Sequence, residues 1–256
     1  MNLIINNIEF DHADIFNNID DIKKQFHHLL KIIPKSGNLI YFKEDQNTSD
    51  VIKSGLWCNE IVIGSNEIEI DLNQKNLIVD TKKYSLKDLP LPGEHNFKNY
   101  VCAILAAKKG GISIEKSIDS LKKFKGVKRR MDLVAEVSDT QIYDDFAHHP
   151  TAIKMSTESI REKYPEKKIL GIVELGSNTM SSGYHKDSLI KSFGALDETL
   201  LLDHNKVYEY SNGFDSEKEI IDHIKTKIVK YDIILIMTNK DSQKFIKPIL
   251  ENFENK

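Results

Sequence analysis

Apolar residues near the start of the chain follow two different spacings. Residues 3–5 form a short continuous apolar run closed by Asn6 and Asn7, whereas Ile19, Ile22, Phe26, Leu29, Leu30 and Ile33 recur at three- and four-residue steps. The first pattern predicts a buried strand and the second a helix with one apolar face. Residues 38–42 and 61–64 read as further strands, and residues 67–72 with 77–80 as a hairpin around Asn73 to Asn76. Two prolines and a glycine between Leu89 and Gly93 break the pattern. Helices are then predicted over 96–109, closed by Gly110 and Gly111, and over 114–124, closed by Gly126.

From Met131 onward the order changes. Two neighbouring strands, 133–137 and 141–143, lead into helices at 151–164, 186–193, 217–229 and 242–253, interleaved with strands at 169–174, 199–202 and 233–237. Such alternation predicts an α/β fold with a mostly parallel, Rossmann-like sheet, and ligand sites at the carboxyl ends of its strands. The basic stretch 127–130 reads as the hinge, giving two domains, 1–128 and 129–256.

Composition narrows the function classes. A 256-residue chain that is 40% hydrophobic can build one large core or two modest ones. Its formal charge of -3, from 36 basic and 39 acidic residues, gives no global reason to expect nucleic acid or a membrane surface as partner. The two cysteines, Cys58 and Cys102, have neither CxxC spacing nor a histidine cluster beside them, so a disulfide framework and a zinc site are not suggested and a reducing cytoplasm is expected. The first residues lack a basic segment and a long apolar stretch, so neither a secretory signal nor a membrane span is expected.

Three polar clusters could carry chemistry. Asp144, Asp145, His148 and His149 follow a strand and run into a helix beginning near Pro150. Carboxylates and imidazoles in that place can hold a metal-phosphate assembly or orient an amine, or can serve as a polar loop and helix cap. Asn96 and Asn99, just after His95, lie three apart at a helix start and share a face. Their amides could read a purine edge or act as turn and cap. Asp11, His12 and Asp14 could reach a divalent cation or form an acidic capping loop. The run Lys128, Arg129 and Arg130 is a solvated hinge or the source of a fixed guanidinium that neutralises charge beside a phosphate site.

In order and spacing these segments resemble the Mur ligase family over nearly the whole chain. NNIEFDHADIF is similar to the central-domain DH motif, LPGEHNFKNY to its GxHNxxN motif, GVKRR to the entry of the last domain and DDFAHHPTAI to the loop that opens it. FHHLL, DDFAHHPTAI and SNTM at Ser177 to Met180 resemble the branch that recycles murein tripeptide more than the branch that adds L-alanine. The resemblance implies ATP-driven amide formation, in which a carboxylate of UDP-N-acetylmuramate becomes an acyl phosphate and the amine of L-Ala-γ-D-Glu-meso-diaminopimelate attacks it. ATP and Mg2+ are the implied cofactors. Carried over residue by residue, His12 is a magnesium ligand, while His95, Asn96 and Asn99 border the adenine. Arg130 meets the ATP phosphates, Asp145 lies on the nucleotide side and His148 near the reacting centre. His149, Ser177 and Asn178 are placed where the incoming peptide binds. His27 falls near a position where relatives carry a carbamylated lysine.

Departures from the family pattern are equally specific. No G-x-x-x-x-G-K-[ST] occurs in the 256 residues, so the loop that cradles triphosphate through its backbone amides is missing from them. The resemblance begins inside the central domain, which implies a truncated central domain followed by a complete C-terminal one. Glu174-Leu175-Gly176 stands where relatives have Glu-Pro-Arg, Ser181 replaces a lysine, and Thr238 to Ser242 replaces a glycine-rich turn. These changes imply three alternatives: a ligase fragment, complemented by an upstream fragment carrying the UDP-binding domain and P-loop; a non-catalytic module binding murein peptide or nucleotide; or a gene remnant. A central sheet without its early strands would leave an open edge, so residues before about Leu91 are expected to be the less stable half.

Overall fold

The computed structural model describes residues 1–227 and 230–254, in two compact units, Met1–Lys125 and Gly126–Lys256. The first unit is built on three parallel strands in the order β1 (Asn2–Ile5), β2 (Asn38–Phe42) and β3 (Asn59–Ile63), with Ile4, Ile40 and Ile61 in one row across the sheet. Because alternate strand residues face opposite ways, Ile40 and Phe42 join one core and Leu39 and Tyr41 the other. The first core is closed by α3 (Glu94–Lys109) through Phe97, Val101, Ile104 and Leu105. The second is closed by α1 (Ile19–Lys31) and α2 (Gln46–Lys53), through Ile22, Leu30 and Val51.

Local chemistry fixes where these helices begin. Asn18 caps α1 by accepting from the amides of Asp20 and Asp21 at 2.9 and 3.1 Å, and those two carboxylates lie at the positive end of the helix dipole. An antiparallel meander of β4 (Ile68–Asp71), β5 (Asn76–Val79) and β6 (Lys82–Ser85) follows. Its second turn places Asp80 and Thr81 at φ 49° and 69°, the mirror-image turn geometry that matches strand twist. Helix α4 (Ile114–Leu121) completes the unit.

The second unit holds one six-stranded sheet, in the order β11-β10-β9-β12-β8-β7. Strands β8 (Thr140–Asp145), β9 (Ile169–Glu174), β10 (Glu198–Leu202), β11 (Gly213–Phe214) and β12 (Ile233–Met237) run parallel, and β7 (Asp132–Val137) pairs antiparallel with β8. Every residue of β9 and β12 is buried, as expected of parallel strands covered on both faces. One face carries α8 (Glu217–Lys227) and α9 (Gln243–Glu254), with Ile220, Ile224, Phe245 and Ile249 in the core. The other carries α5 (Pro150–Lys163), α6 (Asn178–Ser181) and α7 (Lys186–Lys191), with Ile153, Ile160, Met180 and Leu189 inside.

Several expected boundaries move. The strand expected over 141–143 is longer, so Asp144 and Asp145 belong to β8 itself and not to the loop after it. The helix expected over 114–124 stops at Leu121. The helix expected over 217–229 is described to Lys227, and its expected end at Val229 lies outside the described residues. Helices α2 and α6 and strands β6 and β11 had no counterpart in the hydrophobic pattern. They are short and polar, or held by capping and edge pairing, which periodicity does not report.

Candidate functional site

In the first unit, two motifs far apart in sequence meet at the carboxyl end of β1. Asn6, the first residue after that strand, donates Nδ2 to Asn99 Oδ1 at 2.7 Å, and its own Oδ1 receives the Cys102 thiol at 3.1 Å. Ile8, 1% exposed, anchors the loop that follows. Its amide donates to Asp45 Oδ2 at 3.2 Å and its carbonyl accepts from Asn47 Nδ2 at 2.7 Å. Asp45 is also the N-cap of α2, accepting from the Thr48 amide at 3.1 Å and from the Thr48 hydroxyl. One carboxylate thus ties the start of α2 to the DH loop. Asp45, Asn47 and Cys102 were missed as site residues; an Asp just after a strand with Thr three positions on was the only available signal.

His12 sits at φ 56° in that loop, exposed, with its amide on Asp11 Oδ1 at 2.7 Å and its carbonyl accepting from Ile15 and Phe16. A hard divalent cation takes several oxygen donors. Among the described residues no group of three or more His, Cys, Asp or Glu is placed to hold a metal ion. One exposed imidazole does not fit Mg2+ on its own.

Helix α3 opens on Gly93, whose φ of 91° suits glycine, and its first turn displays His95 and Asn96. Asn96 Nδ2 donates to the Pro92 carbonyl at 2.7 Å, which leaves its Oδ1 as an acceptor, and the Tyr100 hydroxyl receives the Leu91 amide at 2.9 Å. A cavity of ≈ 730 Å³ lined by Lys43, Glu67, Asp80, Lys108 and Lys109 lies at the far end of α3, remote from these motifs. His27 stacks on Trp57 with ring centroids 5.8 Å apart.

In the second unit the carboxyl ends of β8, β9 and β12 converge. Asp145 is 2% exposed, with Oδ1 on the Ala147 amide and Oδ2 on the Met131 amide, both at 2.7 Å. Burial raises its pKa, against the lowering effect of those amides and of Arg130. The carboxylate organises the turn around Arg130, which is flanked by Arg129 and Met131 at φ 57° and 52°. That left-handed backbone costs roughly 1–2 kcal/mol per residue and is held by such bonds.

The two arginines have different employment. Arg129 donates Nη2 to the carbonyls of Thr238 and Lys240 at 2.6 and 2.8 Å and lies 3.3 Å from Asp144. Arg130 is exposed, its guanidinium 5.5 Å from the Phe146 ring, whose ring centre is also 5.2 Å from Arg129. Arg129 is therefore committed to the scaffold, and Arg130 keeps donors for an anion. Asp144, 4% exposed, accepts from the Ser242 hydroxyl at 2.7 Å.

His148 Nδ1 lies 2.9 Å from the Phe146 carbonyl. A carbonyl can only accept, so Nδ1 donates, and in the neutral imidazole this leaves Nε2 as the acceptor, the tautomer of a general base. His149 occupies the N-cap position of α5 without a side-chain capping bond and meets His185 edge-on at 4.6 Å; its Nε2 is sealed from solvent without a hydrogen-bond partner. Ser177 caps α6 through the Met180 amide at 3.3 Å, and Asn178 is exposed on its first turn. Beneath them Glu174, 6% exposed, accepts from Thr238 Oγ1 at 2.5 Å and Lys244 Nζ at 2.6 Å, and Lys244 also reaches Glu217 at 2.8 Å. A Cβ on Gly176 would overlap the Asn239 side-chain oxygen. Sequence reasoning marks Asn239 and Ser242 only as part of a replaced turn and misses Lys244, because their contacts with Asp144, Glu174 and Gly176 join positions distant in the chain.

Family models match twice: the Mur ligase middle domain at residues 3–107 and the Mur ligase glutamate ligase domain at residues 129–240. The chain is 37% identical over 207 residues to the UDP-N-acetylmuramate–L-alanyl-γ-D-glutamyl-meso-2,6-diaminoheptandioate ligase of Escherichia coli, covering 78% of this chain and 45% of that protein. Identity to the Haemophilus influenzae ligase of the same description is 32% over 255 residues, covering 93% and 56%. The crystal structure of a murein peptide ligase from Psychrobacter arcticus superposes with a TM-score of 0.72 at 28% identity, over 100% of this chain and 58% of that one. The chain thus spans about half the length of the curated relatives it matches. Among the described residues no helix is long and apolar enough to cross a membrane.

Proposed function

Because the chain belongs to the Mur ligase family, carrying its middle and C-terminal domains, whose members are ATP-dependent ligases, we propose that it is the base-binding and amine-handling portion of a ligase that joins L-Ala-γ-D-Glu-meso-diaminopimelate to UDP-N-acetylmuramate. In that reaction the γ-phosphate of ATP passes to the muramyl carboxylate and ADP leaves. The tripeptide amine then attacks the acyl carbon, and inorganic phosphate departs. Phosphate charge has to be neutralised in both steps.

The observation that carries this proposal is the division of labour after β8. Asp145 and Arg129 are spent on the scaffold, leaving Arg130 for phosphate oxygens and His148 Nε2 for the proton that the amine gives up. His149, Ser177 and Asn178 border the peptide in this reading, and His95, Asn96 and Asn99 the adenine. His12 remains a candidate for the Mg2+ that family members typically require, with oxygen donors supplied from elsewhere. The site acts in the cytoplasm, where both substrates of a recycling ligase reside.

The 256 residues contain no triphosphate cradle. The purified chain with ATP and both substrates is therefore expected to release no ADP and form no amide. Adding a separate fragment carrying a UDP-binding domain and P-loop should restore both. Turnover by the chain alone disproves the fragment proposal. Gly176 favours a second reading, a non-catalytic module for murein peptide or nucleotide, because no side chain can be built there while Asn239 stays in place. Tripeptide binding by calorimetry, with no turnover even after complementation, would select that second reading.

A further inference from the structure

Asn96 and Asn99 lie one helical turn apart on α3, and opposite halves of their amides are already engaged. Asn96 turns its amide nitrogen to the Pro92 carbonyl with one of its two N–H donors, so the oxygen lies at the opposite end of the amide and remains an acceptor. Asn99 turns its oxygen to Asn6 with one of its two acceptor sites, so the NH2 lies at the opposite end of the amide and remains a donor. We propose that Asn6 is a positioning residue that fixes the polarity of Asn99, so that α3 offers an acceptor at 96 and a donor at 99, the complement of an adenine edge and a mismatch for guanine. The inference rests on the nucleotide role proposed for the first unit and specifies how the base is selected.

An asparagine amide is nearly symmetric in shape, so its two ends exchange unless hydrogen bonds choose between them. Here the choice is relayed from the core. Cys102 is 2% exposed, and burial pushes its thiol pKa up to about 12, so at neutral pH it carries its hydrogen. That hydrogen goes to Asn6 Oδ1, which turns Asn6 Nδ2 toward Asn99 and obliges Asn99 to answer with Oδ1. Asn6 is itself held in place from both sides, by β1 before it and by Ile8, clamped between Asp45 and Asn47, after it. Adenine presents an amino donor beside a ring-nitrogen acceptor, whereas guanine has a carbonyl acceptor where adenine has its amino group. The buried thiol therefore sets the orientation of an amide that reaches solvent.

The test uses the full chain and Asn6→Asp. A carboxylate can accept the thiol but cannot donate, so Asn99 must flip, give its Nδ2 to residue 6 and present Oδ1 outward. In side-chain amide NMR spectra, the Asn99 NH2 should move downfield and exchange more slowly than in wild type, without any ligand. In titrations with AMP and GMP, wild type should prefer AMP by about tenfold, one hydrogen bond's worth, and Asn6→Asp should lose or reverse that preference. Cys102→Ala, which frees Asn6 to flip, should bring the two nucleotides toward parity. An Asn99 amide indifferent to Asn6→Asp overturns the relay. An amide that flips while base preference stays unchanged overturns its role in base selection. Failure of wild type to bind either nucleotide, with the amide switch still seen, defeats the nucleotide role itself and this inference with it.

Discussion

Parallel strands are buried in different company in the two units. In the second unit β9 and β12 lie deep within six strands, and the sheet ends on the two-residue β11 and on β7, whose register shifts between Leu133 and Ala135; shortness and such irregularity blunt sheet edges. In the first unit only three parallel strands are present, so β1 and β3 are both edges of that sheet, and Ile4 on β1 remains 39% exposed. Purely parallel sheets rest on coverage of both faces and on flanking strands. Helices cover both faces of β2, but the sheet has one interior strand where the second unit has four. The contrast teaches that packing quality and sheet width are separate properties: Ile40 is as fully buried as Ile236, yet it sits in a much narrower sheet.

The largest effects should test whether the units melt separately. Ile40→Ala and Ile236→Ala should each cost roughly 2–5 kcal/mol. We expect Ile40→Ala to erase hydrogen-exchange protection in β1 to β3 while β9 and β12 stay protected, and Ile236→Ala to lower only the second unit's urea midpoint. Cys102, buried and with its pKa raised to about 12, gives an independent readout, since a thiol reagent should reach it only through opening of the first unit. Equal loss of protection in both units from Ile40→Ala would break the comparison.

Next in size is Lys244→Met, which leaves Glu174 without its cation. We expect about 2 kcal/mol, less than for a sealed ion pair because Lys244 keeps some solvent contact. Burial acts to lower the Lys244 pKa, but the bonds to Glu174 and Glu217 outweigh it and raise the value from 10.5. A raised lysine pKa stabilises the fold fully below its unfolded value and loses that contribution as pH rises through the folded one. The difference in urea midpoint between wild type and Lys244→Met should therefore shrink above about pH 10.5. A difference constant to the onset of alkaline unfolding would show that packing, not charge, carries the effect.

Gly176→Ala should cost about 1–3 kcal/mol by overpacking against Asn239, and Asn239→Ala should relieve most of it in the double variant. Additive costs would show that the two positions do not interact. At the small end, Lys82→Ala in the first unit removes an exposed pair with Glu115 at 2.6 Å. Its urea midpoint should not change measurably, nor respond to salt differently from wild type.

Much of this architecture was legible in the chain. The runs at 169–174 and 233–237 give β9 and β12 with the expected limits, because apolar runs this short and rich in β-branched isoleucine suit a strand covered on both faces better than a helix. The three- and four-residue period of Ile19 to Ile33 gives α1 from a different signal, one apolar face at helical spacing. By contrast α2 rests on Asp45, whose capping role depends on the DH loop lying beside it, and hydrophobic period carries no trace of that contact. Asp144 and Asp145 were legible as a pair of carboxylates, but their commitment to Ser242, Arg129 and the Met131 amide was not.

The sequence by itself determined the order of strands and helices, the chemical types available and the absence of a triphosphate cradle from these residues, since each is a property of neighbours along the chain. Only the tertiary structure decided which polar groups remain available. It assigned Arg129 to the carbonyls of Thr238 and Lys240 and left Arg130 exposed, and it set the amides of Asn96 and Asn99 in opposite senses through Pro92 and Asn6. Hydrogen-bond capacity is finite, and how it is spent depends on partners brought together by folding from positions as distant as 6 and 99.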